Sequence, residues 1–276
     1  MENIKKSFVA LLLVMLSLPL ALTSQDSLSN CAGAERPYQN GEEIVYKVYY
    51  NWGLIWIAAG EVVFRVDESQ SKLRYTVTGR AFKAYDPIFM VRDYYTSEVD
   101  KSTCKPTNFK RIIHEGNYYR FDSISFDQDE NKLVEYFGRT KEEAKRFDFE
   151  IDNWVHDMVS VIYHLRSQDV SVMKPGHQVP VRIFFDKELF ELNVNYIEPT
   201  KKRIKGQGRH RVHHFQPELI DGYVFKEGDL MDIWVSDDDS RVPLLIESPI
   251  SIGSVKAILQ KYKPSKDSES RDKYKQ

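Results

Sequence analysis

Cysteine is scarce in this chain: 276 residues hold two, Cys31 and Cys104. At most one bridge can form. A basic excess is lacking too, since 39 Lys and Arg face 41 Asp and Glu, for a net charge of −2. That removes the electrostatic footprint of nucleic-acid binding. The motifs of common chemistry are also missing. There is no Gly-x-Ser-x-Gly elbow, no His-Glu-x-x-His, no Cys-x-x-Cys and no phosphate-cradling glycine loop. No cofactor site is therefore expected. Beyond the first two dozen residues, no apolar run is long enough to span a bilayer as a helix.

What is there begins at the front. Lys5 and Lys6 precede an apolar run from Phe8 to Leu22, broken only by Ser17 and Pro19, and Ala21, Thr23 and Ser24 follow. Charge, short apolar core and small residues in that order form a secretory signal. The run is shorter than the roughly 20 residues of a spanning helix. Residues 1–24 are read as a cleaved leader, which leaves 37 basic and 40 acidic residues and a net charge of −3. Export allows Cys31 to pair with Cys104; two free thiols, or a lipid on Cys31, are the alternatives. Residues 25–40 read as an N-terminal arm, 41–262 as one β-rich domain, and the charged stretch 263–276 as a disordered tail.

Alternation dominates the body. In residues 43–50, Ile44, Tyr46, Val48 and Tyr50 share one face, which marks a half-buried strand. Similar runs recur at 54–66, 73–81, 94–99, 108–114, 118–127, 132–137 and 144–151. They resume at 178–185, 189–196, 200–206, 209–215, 231–236, 243–248 and 255–262. Gly60 within the second run suggests a bulge or tight bend. Residues 153–167 break the rhythm. Val155, Met158, Val159, Ile162 and Leu165 make an apolar stripe at helical spacing, with His156, Asp157, Ser160 and His164 opposite. Asp152 or Asn153 would cap that helix. The fold class is therefore mainly β: one curved antiparallel sheet or barrel-like domain with a single amphipathic helix.

Three pieces, in order, carry a resemblance. Gly41-Glu42 leads into Ile44-x-Tyr46-x-Val48-x-Tyr50 and then Ala59-Gly60. Asp157-x-x-Ser160-x-x-Tyr163-x-Leu165-Arg166 follows. Trp234-x-Ser236-Asp237-Asp238-x-x-Arg241-x-Pro243 comes last, with Glu247 and Gly253-Ser254-Val255 beyond it. Together they resemble the exported bacterial family known as domain of unknown function 3108, over residues 41–262. The resemblance implies a cell-envelope setting and a β-rich body, and no established reaction. Asp239 departs from the pattern by adding a third consecutive acid, which lengthens the turn and leaves the pairing of Arg241 open.

Candidate chemistry is thin. Asp157, Ser160 and His164 would lie in a row along one helix, with Ser160 in the middle, so His164 cannot easily reach both others as a hydrolase triad requires. A solvated or hydrogen-bonded polar face is the plainer reading. His210, His213 and His214 alternate, so at most two share a face, too few for zinc, and a basic exposed strand is expected instead. Asp237 and Asp238 suit a turn, where Arg241 could pair with one of them, and Pro243 is tolerated at a strand start. Trp56, Trp154, Tyr163 and Trp234 are the candidates for lining a concave apolar cavity. The function expected is a non-enzymatic envelope protein, periplasmic or outer-membrane associated. It would bind a lipid, a hydrophobic ligand or another envelope protein. An envelope hydrolase with paired carboxylates, or an assembly protein without a small ligand, are the alternatives.

Overall fold

The computed structural model describes residues 36–52, 55–219, 230–250 and 253–265. The expected leader, Cys31 and tail residues 266–276 lie outside the described residues. Eight strands come first: β1 (Glu43–Trp52), β2 (Ile55–Glu68), β3 (Lys72–Ala81), β4 (Arg92–Asp100), β5 (Pro106–Glu115), β6 (Tyr118–Asp127), β7 (Lys132–Gly138) and β8 (Lys145–Glu150). A short helix, α1 (Asp86–Phe89), interrupts them. Helix α2 (Ser160–Arg166) follows. The remaining strands are β9 (Gln178–Phe185), β10 (Glu188–Ile204), β11 (Gly208–Pro217), β12 (Asp232–Ser236), β13 (Pro243–Pro249) and β14 (Ser254–Lys263).

All fourteen strands form one antiparallel sheet in the order β8-β7-β6-β5-β4-β3-β2-β1-β14-β13-β12-β11-β10-β9. It is a meander, except that β1 takes β14 as its second neighbour, with Glu43 opposite Lys263. Alternation decides which face turns inward. In β3, Leu73, Tyr75 and Val77 are buried while Arg74 is exposed. The sheet curls without closing, since β8 and β9 do not pair. Residues 151–157 fill that seam. His156 N–H donates to Arg182 O (2.8 Å) and its carbonyl accepts from Phe184 N–H (2.9 Å), a parallel bridge to β9. On the other side, the Gln128 side chain accepts from Val155 N–H (3.1 Å) and donates to Val155 O (2.8 Å). Phe149 of β8 and Phe184 of β9 meet edge to face at 4.9 Å.

This seam corrects the helix expected at 153–167. Backbone groups spent on β9 and Gln128 cannot serve an i→i−4 ladder, so α2 starts only at Ser160. Neither Asp152 nor Asn153 opens it. Asp157 does, its Oδ1 accepting from Val159 N–H (2.8 Å) and Ser160 N–H (2.9 Å). Asp152 instead pairs with Arg182, and Asn153 accepts from Trp154 N–H (2.8 Å). The polar side is hydrogen-bonded but not solvated, because His156, Asp157 and Ser160 are all buried.

Two further differences have local causes. The runs 189–196 and 200–206 form one strand, β10, with a bulge at Ile197. Pro199 is tolerated there because β9 has already ended, leaving that side without a ladder to donate to. Ala59 is the extra residue of a bulge beside Gly60, where the β1–β2 register shifts. Strand β14 also reaches Lys263, one residue into the expected tail.

The core gathers around α2. Tyr163 stacks on Tyr75 at 3.8 Å, and Tyr38 meets both rings edge on. The Tyr38 and Tyr75 hydroxyls hydrogen-bond at 2.9 Å. Each such aromatic pair adds about 0.5–1.5 kcal/mol beyond the area it buries. Among the described residues no helix is long and apolar enough to cross a membrane.

Candidate functional site

The site is the space between α2 and the sheet. Its anchor is set just before β1, where Gly41 adopts φ 83° and donates to Val66 O (2.7 Å). That left-handed turn suits glycine, and it turns Glu42 inward to full burial. Arg166, at the last turn of α2, meets Glu42 with two bonds of 2.7 and 3.0 Å. It also donates to Ser240 O (3.0 Å) and Arg241 O (3.3 Å). Burial opposes the guanidinium charge, but attraction to Glu42 outweighs it and holds Arg166 above its ordinary range. Arg241 does not pair with the acids of its turn. It donates to Gln168 O (2.8 Å), just past the end of α2. Asp238 organises the turn, accepting from Ser236 Oγ (2.9 Å) and Ser240 N–H (3.0 Å). Asp237 pairs with Arg211 (2.6 Å) and His213 (3.0 Å).

Above this anchor lies an apolar cavity of about 200 Å³. Val161 and Leu165 line it from α2 and Met158 from the turn before it, facing Tyr46, Phe215 and Ile233 across the gap. Its polar lining is Arg166, Gln168 and Arg241. Tyr46 donates to Pro243 O (2.8 Å), tying β1 to β13 at the wall. Of the four aromatic candidates only Tyr163 lines this cavity. Trp56 and Trp234 stand elsewhere, beside lysines. Trp154 lies half-buried at the seam, 4.6 Å from the ring of His156. The lining aromatics Tyr46, Phe64 and Phe215 were legible only as inward positions of strands, because nothing in sequence says which inward positions border a void.

The polar clusters are structured rather than open. Asp157 Oδ2 accepts from Ser97 Oγ (2.6 Å), and burial raises its pKa. Ser160 Oγ lies 3.3 Å from His156 Nδ1, not beside His164, and all of it is buried. His164 bonds Gln168 at 3.2 Å. His210 is buried, His213 meets Tyr196 and Asp237, and His214 stacks on Trp234 and pairs with Asp232 (2.7 Å), so only Arg209 and Arg211 make β11 the exposed basic strand expected and its histidines do not. Among the described residues no group of three or more His, Cys, Asp or Glu is placed to hold a metal ion.

Carboxyl pairs do occur, inside the curl. Burial, and then the neighbouring Asp93, push Glu115 up to about 9. Asp93 rises to about 7, chiefly by burial. Burial and the neighbouring Asp122 push Glu135 to about 8. Arg111 contacts Asp122 (3.1 Å) and Asp186. Asp93, Glu115, Asp122 and Glu135 are 0–6% exposed, so these pairs lie away from solvent.

The family profile for a protein of unknown function, DUF3108, matches residues 45–260. The chain belongs to the DUF3108 family. Its three motif pieces are the ones that meet at Glu42, Arg166 and Arg241. Among solved structures, the chain is similar to a β-barrel-like protein of domain of unknown function DUF1849 from Brucella abortus. Identity is 10% and the TM-score 0.55, over 84% of this chain and 100% of that one. This DUF3108 chain shares the barrel-like fold with it and nothing further is implied. A protein from Bacteroides fragilis with a YmcC-like fold, inferred to be exported, aligns at 12% identity over 83% of this chain and 98% of its own, with a TM-score of 0.34. No curated protein matches in sequence.

Proposed function

We infer that the protein is a non-enzymatic component of the cell envelope, exported to the periplasm or the outer membrane, that holds the end of an acyl chain under α2. The observation carrying this reading is the cavity. A void of 200 Å³ left empty would cost on the order of 5 kcal/mol relative to a filled core. That is a large share of a domain's usual stability. The volume falls below the roughly 300 Å³ at which drug-sized ligand sites begin, which favours one chain end over a whole lipid. Arg241 and Gln168 in the lining would face a polar headgroup.

The test is native mass spectrometry with lipid extraction, on protein purified from its own envelope. A near-stoichiometric acyl ligand is expected. It should be absent from Val161→Phe, which fills the cavity and should still unfold cooperatively. A clean ligand-free mass for the wild type would overturn the reading.

A further inference from the structure

Strand β10 outruns its partners. It pairs with β9 only over Glu188–Asn195, and β12 pairs with β11 only over Val212–Phe215. Residues 202–210 therefore form a hairpin arm paired only with itself. The arm does not stand in solvent. The bulge at Ile197 precedes it, Ile204 is 1% exposed and His210 5%, and Gln207 donates its side-chain amide to Leu259 O in β14. The arm is thus folded against β13 and β14, on the face opposite the cavity.

Between arm and sheet lies a groove of about 600 Å³, within the size range of small-molecule sites. Four cations line it, Lys202, Arg203, Lys205 and Lys256, against one carboxylate, Glu247, which pairs with Lys256 at 2.6 Å. This local excess sits in a chain whose overall charge is −2. The lysines are positioned rather than loose. The ammoniums of Lys205 and Lys256 lie 4.0 and 4.8 Å from the centre of the Trp56 ring, and that of Lys202 lies 3.4 Å from Trp234. Cation–π contact orients such groups without neutralising them. Neither Lys202 nor Lys205 has a salt bridge among the described residues. Burial lowers the pKa of Lys202 and the nearby carboxylates Glu247 and Asp232 offset this only in part, so a bound anion would favour its charge further.

We propose that this groove binds a phosphate group, through the ammoniums of Lys202, Lys205 and Lys256 ordered on Trp56 and Trp234. Compact ammonium charges that donate in several directions suit a phosphate's oxygens, and Arg203 in the same lining adds a planar fork that fits them as well. The phosphate could belong to a lipid headgroup or to a soluble molecule, and the site is independent of the cavity under α2.

The test uses the mature chain in about 150 mM salt, so that loosely screened attraction is suppressed. Pyrophosphate is titrated against tryptophan fluorescence. Co-sedimentation is measured with phosphatidylglycerol–phosphatidylcholine vesicles and with phosphatidylcholine alone. The Lys202→Gln/Lys205→Gln protein should bind at least tenfold more weakly. Lys132→Gln/Lys141→Gln, which removes the same charge at and beyond β7, should stay within twofold of wild type. Thermal unfolding of both variants should match the wild type. Binding of vesicles alone assigns the phosphate to a lipid headgroup, and binding of pyrophosphate assigns it to a soluble molecule. No binding of either probe, or equal losses in the two variants, would overturn the proposal.

Discussion

Glu42 and Arg166 bury opposite charges where neither meets water, so each depends on the other. Removing one partner of such a pair typically costs about 3–5 kcal/mol, since the survivor stays buried and uncompensated. Glu42→Gln should therefore lower stability in urea by that amount, and Glu42→Leu/Arg166→Met should regain most of it. A single-variant loss under about 1 kcal/mol would show that the pair is not what holds α2 in place. The inner carboxyls give a pH dependence whose sign is fixed by their direction. Asp93, Glu135 and Glu115 sit at about 7, 8 and 9, above ordinary carboxylate values. The folded chain thus holds protons that the unfolded chain releases. Their contribution to stability is complete below about pH 4, drains away as pH rises above that, and is gone once pH has passed the folded values of 7 to 9. Melting temperature should fall between about pH 4 and pH 9, and Glu115→Gln should flatten the fall. An unchanged slope in that variant would count against the pairing. Cys104, at φ 60°, is disulfide-bonded. We expect Cys31 to be its partner, so the unreduced mature chain should weigh two hydrogens less than the reduced one and resist thiol labelling.

At the scale of elements, α2 is the least self-sufficient. Its seven residues are too few to be stable alone in water, so its start rests on Asp157. Asp157→Ala frees two backbone N–H groups and Ser97 Oγ, and should cost about 1–2 kcal/mol or more in thermal unfolding. Asp157→Asn, which keeps an acceptor at the cap, should cost less. The contrast between α2 and the strands shows what was legible. Strand positions follow from alternation, which depends on neighbours within a few residues, and Leu73, Tyr75 and Val77 reveal their face unaided. Residues 153–159 carry a helical spacing of apolar groups, yet Gln128 and β9 claim their backbone. Those partners lie outside any local window. The same limit hid the site. Glu42, Arg166 and Arg241 were readable as motif members, but their meeting depends on β1 pairing with β14 and on α2 entering the curl. The lysine groove was likewise hidden, because nothing local says that the arm of β10 and β11 folds back on Trp56.

At the scale of the molecule, the sheet's edge strands are β8 and β9, in mid-sequence, while β1 and β14 are joined in its interior. The order in which the chain becomes available therefore differs from the order in which the sheet can be completed. Strand β1 pairs early with β2, but its other edge stays open until β14 arrives, and Glu42 has no Arg166 until the polypeptide beyond β8 is present. Contacts so distant in sequence are made slowly, because the intervening loop must be closed before they return any energy. If the chain is exported front first, as proposed, this topology postpones commitment. The first half can form a meander, but its β1 edge, with Val45, Lys47 and Tyr49 along it, remains a strand in search of a neighbour. An exposed edge of that kind invites pairing with another chain, so the interval between the emergence of β1 and that of β14 is when such mispairing would be most open to it.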